Sequence, residues 1–462
     1  MVESGTMSPT AALARFAATT PLSSVPSATL QRLKECLLDF VGNAAFAAAF
    51  AESSPAFRAG TLALGHAPGD TTVVGEAAGY GPMQAALLNG AFAHTLDFDD
   101  TNVWGVLHPG APVIAAALVE AERLNVRGTQ LLAALAVGYE VACRVGASLG
   151  QTAYDRGFHI TGVAGLFGAV AAAGRLRGLD ADMLASAFGI ALSKAAGSMQ
   201  YLDNGAWNKR LHPGFAAHDA LLALAFAQAG VLGATAPLEG RYGLMVGYTN
   251  QSTPAALTDR LGKWWPSGQT ALKPFPNCRL THGAIEAAIA LREQAGAQRH
   301  AALSAALREG KRLQVRLSPK AAQIVGEPLP NKLLPLNIVD AQFSVYFQVA
   351  VAWIDGRSTW QSYERLGALD VKSLCEVIDV VADETMPLAG AQLTLDELDA
   401  RIDEPLGEDA RPFEGAPLRA KFDSLAVPVF GGARCAEIAA RIAALEDEAE
   451  AAALIRLFRR SA

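Results

Sequence analysis

GTQLLAALAVGYEVACRVGASL, residues 128–149, decides how the rest of the chain is read. It is rich in strong helix formers, has few β-branched residues and is apolar nearly all round. A helix looks like that when other helices surround it. Segments of the same kind lie on both sides: LQRLKECLLDFVGNAAFAAAFA, PMQAALLNGAFAHTLDF, PVIAAALVEAERL and DMLASAFGIALSKAAGSM, broken by Gly, Pro and Asp. They predict a large all-helical domain over residues 1–268, in which TTVVGE (71–76) is a small strand or an extended connection.

The character changes after KPFPNCRLTH. RLQVRLSPKAAQIV (312–325) alternates apolar and polar residues and reads as a strand leading into a turn. AQFSVYFQVAVAWIDG reads as a helix, VKSLCEVIDVVADETM as a helix leading into a strand, and GAQLTLDELDARIDEPL as one more strand. Residues 269–404 are therefore expected to form a smaller α+β domain. Residues 405–462 return to helix and are expected to pack back on the first domain. The fold class expected is mostly α, with no internal repeat of 20–50 residues.

Composition narrows the function. The chain has 462 residues, 51% of them hydrophobic, and a net charge of −7. No run of five or more Lys/Arg occurs, so no nucleic-acid partner is expected. The five cysteines (Cys36, Cys143, Cys278, Cys375, Cys435) are scattered and never form CxxC. That speaks against a disulfide framework, a zinc ribbon or an iron–sulfur cluster. MVESGTMSPTAALARF lacks the basic and apolar regions of a signal peptide. ALLALAFAQAGVLGATAPL (220–238) reaches membrane-spanning length only by including Gln228, Gly230, Gly233 and Pro237, and reads as a buried helix and a loop. No membrane partner is expected, and the setting expected is the cytoplasm.

Three segments repeat one design. LHPGAPVIAAALVEAERL, RGFHITGVAGLFGAVAAAGRL and NKRLHPGFAAHDALLALAF each place His or Lys before a long helix of small residues. A helix start offers free N–H groups and the positive dipole end, which attract carboxylates. His108, His159 and Lys209 would converge on an anion if the three starts meet. Pro109 and Pro213 suit a first helical turn. The bland alternative is that each His caps a helix or satisfies a carbonyl; His212 and His218 fit it better, and His66 and His300 read as inert loop residues.

HTLDFDDTN (94–102) is dense in ligand-type side chains. If helical to its end, it places His94, Asp97 and Thr101 on one face. Asp99 and Asp100 then point elsewhere, as structural groups capping the next segment. No zincin, EF-hand or two-metal spacing completes a metal site. GEAAGYGP (75–82) is too loose for a dinucleotide fingerprint, and neither a Walker A sequence nor GxSxG occurs. What remains is a His, Lys and Asp site expected to work without metal or cofactor.

LNGAFAHTLDFDDTN…LHPGAPV, GYEVACRV, RGFHITGVAGLFGA, KRLHPGFAAHDA and LKPFPNCRLTHGAIEA, in that order over roughly residues 85–290, resemble the MmgE/PrpD family, as does the terminal LRAKFDSLA. That family includes 2-methylcitrate dehydratases, cis-aconitate decarboxylases and iminodisuccinate epimerases. The resemblance implies a helical domain built from the N-terminal half plus the C-terminus, a smaller α+β lid domain and a homodimer. Its pocket positions fall on Asp97, Thr101, His108, His159, Lys209 and Lys273. Cys278 stands where the decarboxylases have a histidine, and PLPNKLLP (328–335) offers no tyrosine where they have one.

These activities share proton transfer at a carbon beside a carboxylate. Lys209 and Lys273 would clamp substrate carboxylates and stabilise an enediolate-like dianion. His108 and His159 would be the acid/base pair, Asp97 would orient a histidine or Lys209, and Thr101 and Cys278 would contact substrate. The expectation is a cofactor-independent lyase of the dehydratase type acting on a small di- or tricarboxylic acid. Alternatives are an epimerase of an imino or amino dicarboxylate such as iminodisuccinate, or a cis-aconitate-type decarboxylase. Outside that class stand a non-catalytic helical binding protein and a metal hydrolase.

Overall fold

The computed structural model describes residues 7–65 and 69–461. His66 lies outside the described residues, as do the first six residues of the N-terminal stretch read for a signal peptide.

Most of the chain is helix. Six helices carry most of the close packing: α1 (Ser27–Phe50), α2 (Pro82–Thr95), α3 (Gly110–Leu124), α4 (Gly128–Asp155), α5 (Ile160–Leu176) and α6 (Asn208–Gln228). GTQLLAALAVGYEVACRVGASL lies in α4. That helix is long and apolar enough to cross a membrane, yet 89% of its most apolar window is buried among other helices, as in the core helix of a globular protein. Gly150, at φ +63°, kinks it near its end. Small residues set how closely the helices approach. A Cβ on Gly138 of α4 would lie 2.7 Å from Ala172 of α5 and from Val113 of α3, and one on Gly214 of α6 would lie 2.3 Å from the Leu87 carbonyl of α2.

TTVVGE contributes a two-residue strand, Thr71–Thr72, paired antiparallel with Gly79–Tyr80. The apolar stretch 220–238 is the second half of α6 followed by a turn at Ala229–Gly230.

A second, separate hydrophobic cluster surrounds a four-stranded sheet: β1 (Leu313–Leu317), β2 (Ile378–Ala382), β3 (Ala391–Leu395) and β4 (Leu398–Ile402). The order is β2-β1-β3-β4, with β1 parallel to β2 and the other pairs antiparallel. Burial alternates along β1 and β3, so one face is covered, by α7 (His282–Arg308), on whose far side α8 (Val345–Asp355) packs. GAQLTLDELDARIDEPL is a hairpin rather than one strand, because Asp396 turns the chain at φ +56°.

The last long helix near the C-terminus, α9 (Gly415–Phe430), packs on α1, where Phe422 lies against Gly42. Phe422, Leu425, Ile438 and Phe458 complete the helical core, not the sheet's.

Three local readings are corrected. α2 stops at Thr95, so DFDDTN is not helical; Asp97 sits in the left-handed region at φ +52°. Pro213 lies inside α6, which begins at Asn208, so it removes the N–H that the Lys209 carbonyl would accept. His300 is in α7, its ring tilted against Trp353 and 3.0 Å from the Trp353 carbonyl.

Candidate active site

The three helix starts meet. Asp97, Thr101, His108, His159, Lys209, Lys273 and Cys278 all line one cleft of about 140 Å³ between the helical body and the sheet region. The helical body supplies most of the polar wall. Ile324, Phe343 and Leu388 close it from the other side.

Asp97 is the hub. Its Oδ1 forms an ion pair with Lys209 Nζ at 3.0 Å and accepts from Lys273 Nζ at 2.8 Å, and Lys273 also donates to the Asp97 carbonyl at 2.8 Å. A left-handed aspartate costs about 1–3 kcal/mol, tolerated only where the surroundings hold it. They do: Thr101 and Ala271 exchange both main-chain hydrogen bonds, at 2.9 and 2.8 Å, which splices this loop to the segment that carries Lys273. Burial pushes the Asp97 carboxyl up, but Lys209 and Lys273 outweigh it and hold the group well below the usual carboxylate range. Burial pushes Lys273 down, and Asp97 and Asp99 more than reverse that. Two ammoniums thus share one carboxylate, leaving positive charge for a ligand. Lys209 also lies 5.3 Å from the centre of the Phe343 ring.

Behind this loop the remaining acids are structural, though not idle. Asp100 accepts from the Gly110 N–H at 3.0 Å and from the Tyr139 hydroxyl at 2.7 Å, so it caps α3. Burial and then Asp99 push its carboxyl up to about 7. Asp99 Oδ2 lies 2.7 Å from His94 Nδ1. Burial opposes the Asp99 charge, but His94 and His108 keep its carboxyl below the usual range. A carboxylate only accepts, so His94 carries its proton on Nδ1; its Nε2 is sealed without a partner among the described residues.

His108 precedes α3 and is oriented the same way. Its Nδ1 lies 2.7 Å from the Asp100 carbonyl, and a carbonyl cannot donate. The proton therefore sits on Nδ1, and Nε2 keeps a free lone pair. Thr101 Oγ1 is 3.4 Å from the same nitrogen, and Thr161 Oγ1 accepts from the His108 N–H at 3.0 Å. Burial pushes the His108 imidazole down to about 3, with Asp99 opposing, so it is neutral at neutral pH.

His159 is the N-cap residue of α5, its N–H given to the Gly197 carbonyl. Its Nδ1 lies 2.9 Å from His212 Nδ1. Burial and then His212 push His159 well below the ordinary imidazole value. The His108 and His159 ring centres are 6.4 Å apart, with His94 packed against both.

Cys278 is half-buried in the cleft, and burial, then Asp97, push its thiol up, so it is no thiolate. His282 is buried at the start of α7, edge-on to Phe275, and does not line the cleft.

Donor atoms of His94, Asp99 and His108 lie within 4.8 Å of one another, close enough to hold a metal ion. The chemistry fits a hydrogen-bonded array better. His94 Nδ1 is already committed to Asp99 and His108 Nδ1 to a main-chain carbonyl.

Sequence reading missed several groups. Tyr154, Tyr201, Arg279 and Lys320 also line the cleft, with Arg279 paired to Glu408 and Lys320 to Asp155. Lys421 of α9 lies behind the hub: its Nζ is 2.6 Å from Asp39 Oδ1 and donates to the carbonyls of Phe98 (2.7 Å) and Lys273 (3.0 Å). His212 carried a usable signal, since it follows Lys209 by three residues and so shares its helix face. Tyr154 and Tyr201 carried none.

Known proteins agree with this architecture. The MmgE/PrpD N-terminal domain matches residues 11–256, and the MmgE/PrpD C-terminal domain matches residues 275–447. The chain is 29% identical to the cis-aconitate decarboxylase-like protein oryM of Aspergillus oryzae, over 94% of each protein. It is 28% identical to a cis-aconitate decarboxylase of Aspergillus terreus, over 75% of this chain and 72% of that one. With the Homo sapiens cis-aconitate decarboxylase it shares 30% identity, over 61% of this chain and 57% of the relative. Two domain matches in chain order, over a helical body and a smaller α+β part, make this chain a member of the MmgE/PrpD family.

Proposed function

We propose that the protein is a cofactor-independent lyase of the dehydratase type, acting on a small di- or tricarboxylic acid through a carbanion beside a carboxylate. The observation that carries this is the pairing of two lysines on Asp97 with two neutral imidazoles across one cleft. Lys209 and Lys273, fixed before substrate arrives, receive a carboxylate and gain most as it becomes an enediolate dianion. His108 Nε2, with its free lone pair, takes the proton from the adjacent carbon. His159 delivers a proton to the departing hydroxyl, which leaves as water. Thr101 and Cys278 contact the substrate, and Arg279 and Lys320 supply further positive charge.

A second reading is decarboxylation, favoured by the relatives that are named cis-aconitate decarboxylases. The same lysines would then stabilise the carbanion left by carbon dioxide. Against it, Cys278 cannot supply a proton as a histidine in that place would.

The test is incubation in D₂O with citrate-, aconitate- and succinate-type acids, followed by proton NMR. Deuterium entry at a carbon beside a carboxylate, with loss of water from a hydroxy acid, is the expected result. Carbon dioxide release selects the second reading, and exchange with inversion but no elimination selects epimerisation. No exchange, product or binding with any polyacid would overturn the function.

A further inference from the structure

The His159–His212 contact joins two ring nitrogens that could each have faced a carbonyl. The two Nδ1 atoms are 2.9 Å apart, with ring centres 5.1 Å apart. Two neutral imidazoles in that geometry share a single proton between the facing nitrogens, since two protons would clash and none would leave two lone pairs opposed. The tautomer of one ring therefore dictates that of the other. His159 lines the cleft; His212 does not. His212 makes no other side-chain hydrogen bond among the described residues and keeps 7% of its surface exposed. His94 Nε2, in the same cluster, is sealed.

We propose that His212 is a positioning and relay residue that lets His159 exchange protons with solvent without passing them through the occupied cleft. The inference rests on the proton-transfer reading above. Neither ring is a cation at neutral pH, because burial holds both down, His212 to about 4. A neutral imidazole is a feeble acid unless its second nitrogen gains a proton as the first loses one. His212 provides that gain. The step starts with protons on His159 Nε2 and His212 Nδ1. His159 Nε2–H goes to the departing hydroxyl, His212 Nδ1–H passes to His159 Nδ1, and His212 Nε2 takes a proton from water. One proton has moved from solvent to substrate, and both rings end neutral with their tautomers exchanged. Once the product has left, His159 Nε2 takes a proton from water in the emptied cleft, His159 Nδ1–H returns to His212 Nδ1, and His212 Nε2 gives its proton to solvent. His108 has no such partner, because its Nδ1 faces a carbonyl.

His212→Asn tests this, because the amide can keep the hydrogen bond to His159 Nδ1 but cannot hand a proton on. With an acid that the wild type exchanges in D₂O, the expected result is a kcat lowered about 10- to 100-fold. KM should stay within about threefold, and free imidazole should restore turnover. A substrate deuterated beside its carboxylate should lose more of its label per turnover in the variant, because abstraction by His108 continues while elimination is slowed. Wild-type kcat, or a slow variant with raised KM, no imidazole rescue and unchanged label retention, overturns the relay. The second measurement needs no substrate: ¹⁵N-histidine NMR should show one proton bonded between two Nδ1 atoms, lost in His212→Asn. Two Nδ1 atoms without a proton overturn the relay even if the enzyme is active. The NMR signature in a protein that exchanges no polyacid leaves the shared proton standing and removes the proposed function instead.

Discussion

The start of α3 and the start of α5 are built alike and behave differently. Each puts a histidine ahead of a long helix of small residues, and both imidazoles reach the same cleft. Behind His108 stands the Asp100 carbonyl; behind His159 stands another imidazole. A carbonyl fixes one tautomer, while an imidazole permits two. The role of a buried histidine is thus set by the group behind it, not by its place on a helix. His108 is suited to accept a proton at Nε2, and His159 to give one or take one.

Removing either histidine separates the two starts most strongly. His108→Gln and His159→Gln should each lower turnover on the order of 10²- to 10⁴-fold while the protein stays folded. They should differ in kind. His159→Gln leaves the proton abstraction assigned to His108, so substrate deuterium exchange should survive better than net elimination. His108→Gln should lose both together. Steady-state rates beside NMR exchange rates measure this, and equal losses in both variants would erase the distinction.

Lys421 supports the hub that the two starts face, by holding the carbonyls of Phe98 and Lys273 from behind. Burial pushes Asp39 up and Lys421 down, each opposed by its partner's charge. Removing one member of a buried pair leaves the other unpaired, at a cost of about 3–5 kcal/mol. Lys421→Met should lose about that much in denaturant unfolding, and Lys421→Met with Asp39→Leu should recover part of it. A single variant as stable as the wild type would show that the pair is dispensable.

How much of this the sequence displayed depends on distance along the chain. The helices were legible because Ala/Leu-rich segments broken by Gly and Pro admit little else. The cleft residues on helix starts were legible for the same reason. Asp97 and Thr101 line the cleft, though not by the route their spacing suggests. The 3,4 spacing suggested a helix face, but a left-handed turn at a non-glycine residue brings them there, and no pattern announces such a turn. Lys421 was illegible because it meets Phe98 across 323 residues. The facing of His159 and His212 spans 53 residues and depends on how α5 crosses α6. Local periodicity carries no information about either.

Acid should expose the histidines as a group. In the unfolded chain each binds a proton below about pH 6.5. In the fold burial pushes His94, His108, His159, His212 and His282 down, His108 to about 3 and His212 to about 4. Below pH 6.5 the unfolded state therefore binds more protons, so their stability contribution is present above that value and lost as pH falls. Asp100, pushed up to about 7, runs the other way, its contribution falling as pH rises from about 4 towards 7. Six depressed rings, counting His300, against three raised carboxyls, Asp39, Asp100 and Glu140, decide the sign. The melting temperature should fall between pH 6.5 and 4, less steeply in His212→Asn. A flat profile would mean that the rings are protonated in the fold.

The smallest effect concerns the residue that the two starts do not need. Cys278 faces the cleft, at the position where the resemblance to decarboxylases implies a histidine, and its side chain there serves either as a nucleophile or as a contact surface. Burial and the nearby Asp97 charge push the thiol up, so at neutral pH it is neither a thiolate nor a proton donor of useful strength. Its main-chain N–H, donated to the Gln342 carbonyl at 3.0 Å, is what ties the segment down, and substitution leaves that bond intact. Cys278→Ser should keep kcat within about threefold and alter KM by no more than a lost packing contact. Cys278→His sharpens the point. If carbon dioxide release rises in that variant at the expense of water loss, the side chain at this position selects the outcome of a carbanion that Lys209, Lys273 and the two histidines generate either way. If neither product changes, selection lies elsewhere in the cleft wall, and Tyr154, Tyr201 and Phe343 are the side chains left to vary.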